Sequence, residues 1–103
     1  MPGLEAYFIV SSLLFFTGVI GILVRRNFIF VLMSLEIMLN SINLLLMGAS
    51  QTLKSVEAQV IILIVLAVAA SEVAIGLGIA IYMMRAKGTL SVDDFVELGS
   101  SKE

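Results

Sequence analysis

Residues 60–84 read VIILIVLAVAASEVAIGLGIAIYMM. This is a run of about 25 residues with no basic side chain and one acid, Glu72. As an α-helix rising 1.5 Å per residue it is about 37 Å long, more than the roughly 30 Å of a bilayer's hydrocarbon core. Two further runs lie upstream, from about Leu4 to Val24 and from about Phe28 to Ala49. Each is also long enough to cross. The short links, Arg25-Arg26-Asn27 and the polar stretch Ser50 to Gln59, leave no room for another domain. The sequence therefore predicts an all-α, integral membrane chain: a single membrane domain over residues 1–103. Its three transmembrane helices are expected at about 4–24, 28–49 and 60–84, with a polar tail over 85–103.

Composition agrees. Of 103 residues, 60% are hydrophobic and 14% charged, against about half and a quarter in soluble domains. A chain this short has little interior in which to hide that excess, so its apolar surface must face lipid or partners within lipid. A net charge of −2, without a basic stripe, gives no footprint for nucleic acid. Cys and His are both absent, which removes the usual protein ligands for haem, iron–sulfur clusters and structural zinc. The six Met residues read as adaptable packing. No metal or cofactor site is expected in this chain. Arg25 and Arg26 follow the first apolar run, whereas a cleaved leader carries its positive charge before it, so that run reads as a retained helix.

Basic residues in short loops mark the inner side of a membrane. Arg25, Arg26, Arg85, Lys87 and Lys102 fall on one side and Lys54 on the other. The expected topology is N-terminus outside and C-terminus inside. The paired arginines equally suit a lipid phosphate or a partner carboxylate. The acidic tail, with Asp93, Asp94, Glu97 and Glu103, reads as solvated and partly disordered. Alternatively, its Val92, Phe95, Val96 and Leu98 pack on a partner.

Chemistry concentrates in two acids. Glu36 lies about nine residues into the second helix and Glu72 about twelve residues before the end of the third. That puts them roughly 13 and 18 Å from the same membrane side. An ionised carboxylate at such depth costs roughly 2.5–3.5 kcal/mol on insertion scales. A carboxyl there binds or releases a proton according to the charges around it, as intramembrane relays require. The competing reading is a pair of permanently neutral acids bonded for helix packing. Asn40 and Asn43 follow Glu36 at i+4 and i+7, on its side of the helix. With Ser34 and Ser41 nearby, they form a supporting polar face that either orders water or bonds between helices. Around Glu72, small residues Ala70, Ala74, Gly76 and Gly78 allow close helix packing on more than one side. Three helices do not supply that many neighbours, so a larger membrane complex is expected.

The segment Arg25-Arg26-Asn27, the stretch Val31-Leu32-Met33-Ser34-Leu35-Glu36-Ile37-Met38-Leu39-Asn40 and the stretch Val68-Ala69-Ala70-Ser71-Glu72-Val73-Ala74-Ile75-Gly76-Leu77 together resemble the K subunit of proton-pumping NADH:quinone oxidoreductase, respiratory complex I. The resemblance covers nearly the whole chain and includes Val92-Asp93-Asp94. It implies a position in the membrane arm between quinone-proximal and antiporter-like subunits, in an energy-coupling membrane. It implies a proton-relay role for Glu36 and Glu72, and an inner-side loop for Arg25 and Arg26. Quinone, NADH, FMN and iron–sulfur clusters are then expected elsewhere in the complex. Ser71 stands where many members carry Ala. Two alternatives remain open: the equivalent subunit of a related membrane-bound hydrogenase or other-donor quinone dehydrogenase, and a structural or assembly subunit without an ion-conducting role. A related cation/proton antiporter subunit fits less well, because its members generally lack both acids.

Overall fold

Three helices carry the chain in the computed structural model, which describes residues 3–54 and 56–94. They are α1 (Leu4–Val24), α2 (Phe28–Leu53) and α3 (Val56–Lys87), each long and apolar enough to span a membrane. Backbone chemistry sets their ends. Asn27 is extended, and its Oδ1 accepts from the Ile29 and Phe30 amides at 2.9 and 3.3 Å, an N-cap that satisfies two otherwise orphaned donors. At the far end Lys54 is left-handed (φ 51, ψ 44) and its N–H bonds to the Ser50 carbonyl, which reverses the chain into α3. Both helices overrun the expected limits of about 49 and 60. Residues Ser50 to Thr52, Glu57 and Gln59 are polar but helical. Hydropathy marks the part of a helix that suits hydrocarbon, whereas its hydrogen bonds continue into water.

α2 is the central helix. Its α1 face is a ladder of small residues: Ser34, Ser41 and Gly48 are buried, as are Ser11 and Gly18 on α1. A methyl group on Gly18 would meet the side chain of Met38 and come 2.8 Å from the Ser34 carbonyl. One on Gly21 would meet the Ser34 hydroxyl, and one on Gly48 would lie 2.5 Å from the Tyr7 ring. The backbones thus approach to the limit that small residues allow, the packing mode that replaces the hydrophobic effect in lipid. The Tyr7 hydroxyl closes the Lys54 end of this seam by donating to Gln51 Oε1 at 2.9 Å. α3 packs on the other side of α2, where Gly76 lies against Leu32. Leu32 and Ser34, two residues apart, are about 200° apart round the helix, so α1 and α3 flank α2.

The first part of the tail departs from the solvated reading. α3 runs on to Lys87, and Gly88 then turns the chain with φ +69. Residues 89–92 are only partly exposed. They return to the α1–α2 link, where Ser91 forms an antiparallel bridge with Asn27. The Phe28 amide donates to the Leu90 carbonyl and the Val92 amide to the Arg26 carbonyl, both at 2.8 Å. Arg26 also meets Asp93 at 3.6 Å, but the two side chains are 67% and 62% exposed. Such pairs contribute about 0–1 kcal/mol. Asp93→Asn is therefore expected to leave the melting temperature of the assembled complex within about 1 °C, because the backbone bonds hold the strap. A larger drop would mean that the ion pair carries it. Phe95, Val96 and Leu98 lie outside the described residues.

Candidate functional site

The contact between Leu32 and Gly76 fixes how α3 stands beside α2. The two helices are antiparallel. Glu36 follows Leu32 by four residues on α2, and Glu72 precedes Gly76 by four on α3. Each is therefore one turn, about 6 Å, farther from the arginine link than that contact, and the two are level. Counted from Phe28, Glu36 is about 12 Å into the span.

The two acids sit in different surroundings. Glu36 is half-buried, and its Oε1 has no hydrogen-bond partner among the described residues. Glu72 is exposed and lines an otherwise apolar groove of about 430 Å³, with Phe15, Leu32, Leu35, Leu39 and Ile75 among its walls. On the polar face of α2 the expected residues separate. Asn43, two turns beyond Glu36, is buried, and its Oδ1 also has no partner among the described residues. Asn40 is exposed. Ser34 does not belong to this face: its hydroxyl donates to the Phe30 carbonyl at 2.9 Å and abuts Gly21 of α1. Two residues from Glu36, it points nearly the opposite way. Ser41, whose hydroxyl donates to the Met38 carbonyl at 2.6 Å, joins the α1 seam in the same way.

Of the small residues on α3, Gly76 packs against α2, while Ala70, Ala74 and Gly78 are exposed, and nothing among the described residues comes within 4 Å of a methyl group placed on Gly78. Ser71 donates to the Ala67 carbonyl at 3.0 Å and stays exposed. At the link, the Arg25 guanidinium lies 4.5 Å over the Phe30 ring and Arg26 faces Asp93. The Leu32–Gly76 contact, which sets the level of the acids, was not singled out from sequence. Its only trace there is one glycine four residues after an acid, in a helix with several small residues.

A methyl group at Gly76 would lie 2.7 Å from both Leu32 methyls. Those are the ends of a flexible side chain, so Leu32 can give way. Gly76→Ala is therefore expected to destabilise the assembled protein by only about 1 kcal/mol, the low end of the overpacking range. Leu32→Ala in the same chain should recover part of that loss, a coupling readable in a double-mutant thermal cycle. Strict additivity would show that the two side chains do not meet.

Comparison with known proteins agrees with the resemblance. The family model for NADH-ubiquinone/plastoquinone oxidoreductase chain 4L matches residues 6–99. A protein of Aquifex aeolicus (strain VF5) named NADH-quinone oxidoreductase subunit K 2 is 48% identical over 95 residues, covering 92% of this chain and 93% of the relative. Subunit K of Flavobacterium johnsoniae is 45% identical over 96 residues (93% and 91%). That of Syntrophotalea carbinolica is 42% identical over 85 (82% and 84%). With three helices able to span a membrane and relatives of this kind along nearly its whole length, the chain is a multi-pass integral membrane protein and belongs to the chain 4L family, subunit K of NADH-quinone oxidoreductase (complex I).

Proposed function

We propose that this chain sits in the membrane arm of a complex I-type NADH:quinone oxidoreductase, where Glu36 and Glu72 form one segment of the proton path coupled to quinone reduction. The observation that carries this reading is the level placement of two carboxyls one turn above the Leu32–Gly76 contact, with Glu72 on the groove that Leu32 and Leu35 of α2 also line. Two acids in low dielectric respond strongly to any third charge nearby. A change of charge or contact in a neighbouring subunit therefore alters which of them holds a proton.

Glu72, open on the groove, is the acid placed to exchange with a neighbour. Glu36, with one covered oxygen, is the acid held within the chain. The partners are quinone-proximal and antiporter-like subunits of the arm. Quinone, NADH, FMN and iron–sulfur clusters belong to other chains, and this one acts on protons without a redox centre. Arg25, Arg26, Arg85 and Lys87 against Lys54 support an inner-side arginine link and C-terminus. The names of the relatives favour NADH as electron donor over a hydrogenase reaction.

The test is the proton-to-electron ratio of the assembled complex with Glu36→Gln and Glu72→Gln. A ratio and turnover untouched by both would leave a purely structural subunit as the better reading.

A further inference from the structure

We infer that the strap from Gly88 to Asp94 is a positioning element: it holds α3 at the height on α2 that keeps Glu72 level with Glu36. The inference rests on the proposed role of the two acids, and its test separates the two ideas. Along the α2–α3 seam the packing chooses height by little more than the one methyl group that separates a glycine seat from an alanine seat. Leu32 seats on Gly76, but Ala80, one turn on, is also small, buried and on the same face of α3. A slide of one turn, about 5.4 Å, would exchange one small seat for the next and carry Glu72 a full turn away from Glu36.

The strap opposes that slide. It leaves α3 directly after Lys87 and bonds on both sides of Asn27: the Val92 amide to the Arg26 carbonyl, and the Leu90 carbonyl to the amide of Phe28, the first residue of α2. Hydrogen bonds of 2.8 Å do not stretch by a helical turn, so α3 cannot slide while they stand. The Lys54 turn limits movement at the opposite end. Two residues make the strap separable from the rest of the fold. Gly88 has φ +69 and open space where a side chain would stand, so its substitution acts through the backbone alone. Val92 is the first residue of a helical turn, a position that accepts proline, so Val92→Pro removes little besides the N–H that meets Arg26.

The chain has no cysteine, so introduced pairs report the height of α3 within the assembled complex. Leu32→Cys with Gly76→Cys reads the native register, and Leu32→Cys with Ala80→Cys reads the slipped one, since disulfides require Cα atoms within about 7 Å. With the strap intact the first pair is expected to oxidise and the second to stay near background. Gly88→Val, which places a β-branched residue at positive φ, and Val92→Pro should each raise the ratio of slipped to native cross-link by on the order of tenfold, as loss of a hydrogen bond and the strap's geometry allows. Gly88→Asn, which tolerates that conformation, should keep the native ratio.

In complexes without the cysteines, Gly88→Val should lower protons moved per electron, and Gly88→Asn should restore them. An unchanged cross-link ratio in both Gly88→Val and Val92→Pro would overturn the strap's role whatever pumping does. A shifted ratio with undiminished pumping would support the strap and count against the proton role of the acids. If Val92→Pro blocks assembly, the contrast of Val with Asn at Gly88 carries the test.

Discussion

In the assembled oxidoreductase, Glu36→Gln is expected to lower coupled NADH:quinone turnover by at least about tenfold, with Glu36→Asp retaining a substantial part of it. Gln preserves size and hydrogen-bonding capacity but cannot exchange a proton, so a loss with Gln separates proton handling from packing. Positioned proton-transfer groups contribute about 10²–10⁴ in rate. A tenfold effect is therefore modest for a positioned proton-transfer group. Asp keeps the chemistry but draws the carboxyl back by one methylene, lengthening its separation from Glu72. The same exchange at Glu72 is expected to be less severe, because Glu72 opens on the groove and a neighbour's group or water can stand in for it. Proton uptake by inverted vesicles, measured beside electron transfer in the same preparation, gives both numbers. Equal turnover for wild type and Glu36→Gln would remove Glu36 from the path.

Gly18→Leu is the second large effect, and it acts on assembly. At Gly18 even a methyl group would stand 2.8 Å from the Ser34 backbone carbonyl and press on Met38. A backbone carbonyl inside a helix cannot step aside as a side-chain tip can. Gly18→Ala is therefore expected to destabilise by about 1–3 kcal/mol. Leu cannot be housed without moving α1 off α2, so the subunit should be nearly absent from complexes resolved on native gels. Gly3→Ser is the control: among the described residues no atom beyond its chain neighbours lies within 4 Å of a side chain there, and the residue caps α1 without a side-chain bond. Serine favours that position and should leave assembly unchanged. Normal levels of Gly18→Leu would show that the α1–α2 seam is not set by small residues.

Much of this architecture was legible in the residues. The three spans follow from apolar runs, because a bilayer core demands about 20 residues of helix and forbids open backbone. Counting to the helix ends puts both acids well inside their spans, since the rise per residue is constant, but leaves them roughly 5 Å apart in depth; the Leu32–Gly76 contact is what makes them level. The breadth of the helices was less legible: α2 and α3 continue through polar residues that hydropathy assigns to a loop. The fate of the tail was missed. Gly88, Ser91 and the following acids look like any solvated terminus until φ +69 at Gly88 turns them back on Asn27.

What the sequence by itself determined is the number of spans, the presence of two acids at comparable depth and the family. These properties are local or one-dimensional: lengths, periodicities and a pattern of residues. What only the tertiary structure decided is which faces meet. Ser34 and Glu36 are two residues apart in sequence, yet one packs on Gly21 of α1 and the other stands level with Glu72 of α3. On an apolar helix the residues that meet a partner look little different from those that meet lipid. Small-residue contacts such as Leu32 on Gly76 and the Met38–Gly18 seat, together with the backbone bonds of the strap, select among faces and heights that the sequence leaves nearly equivalent.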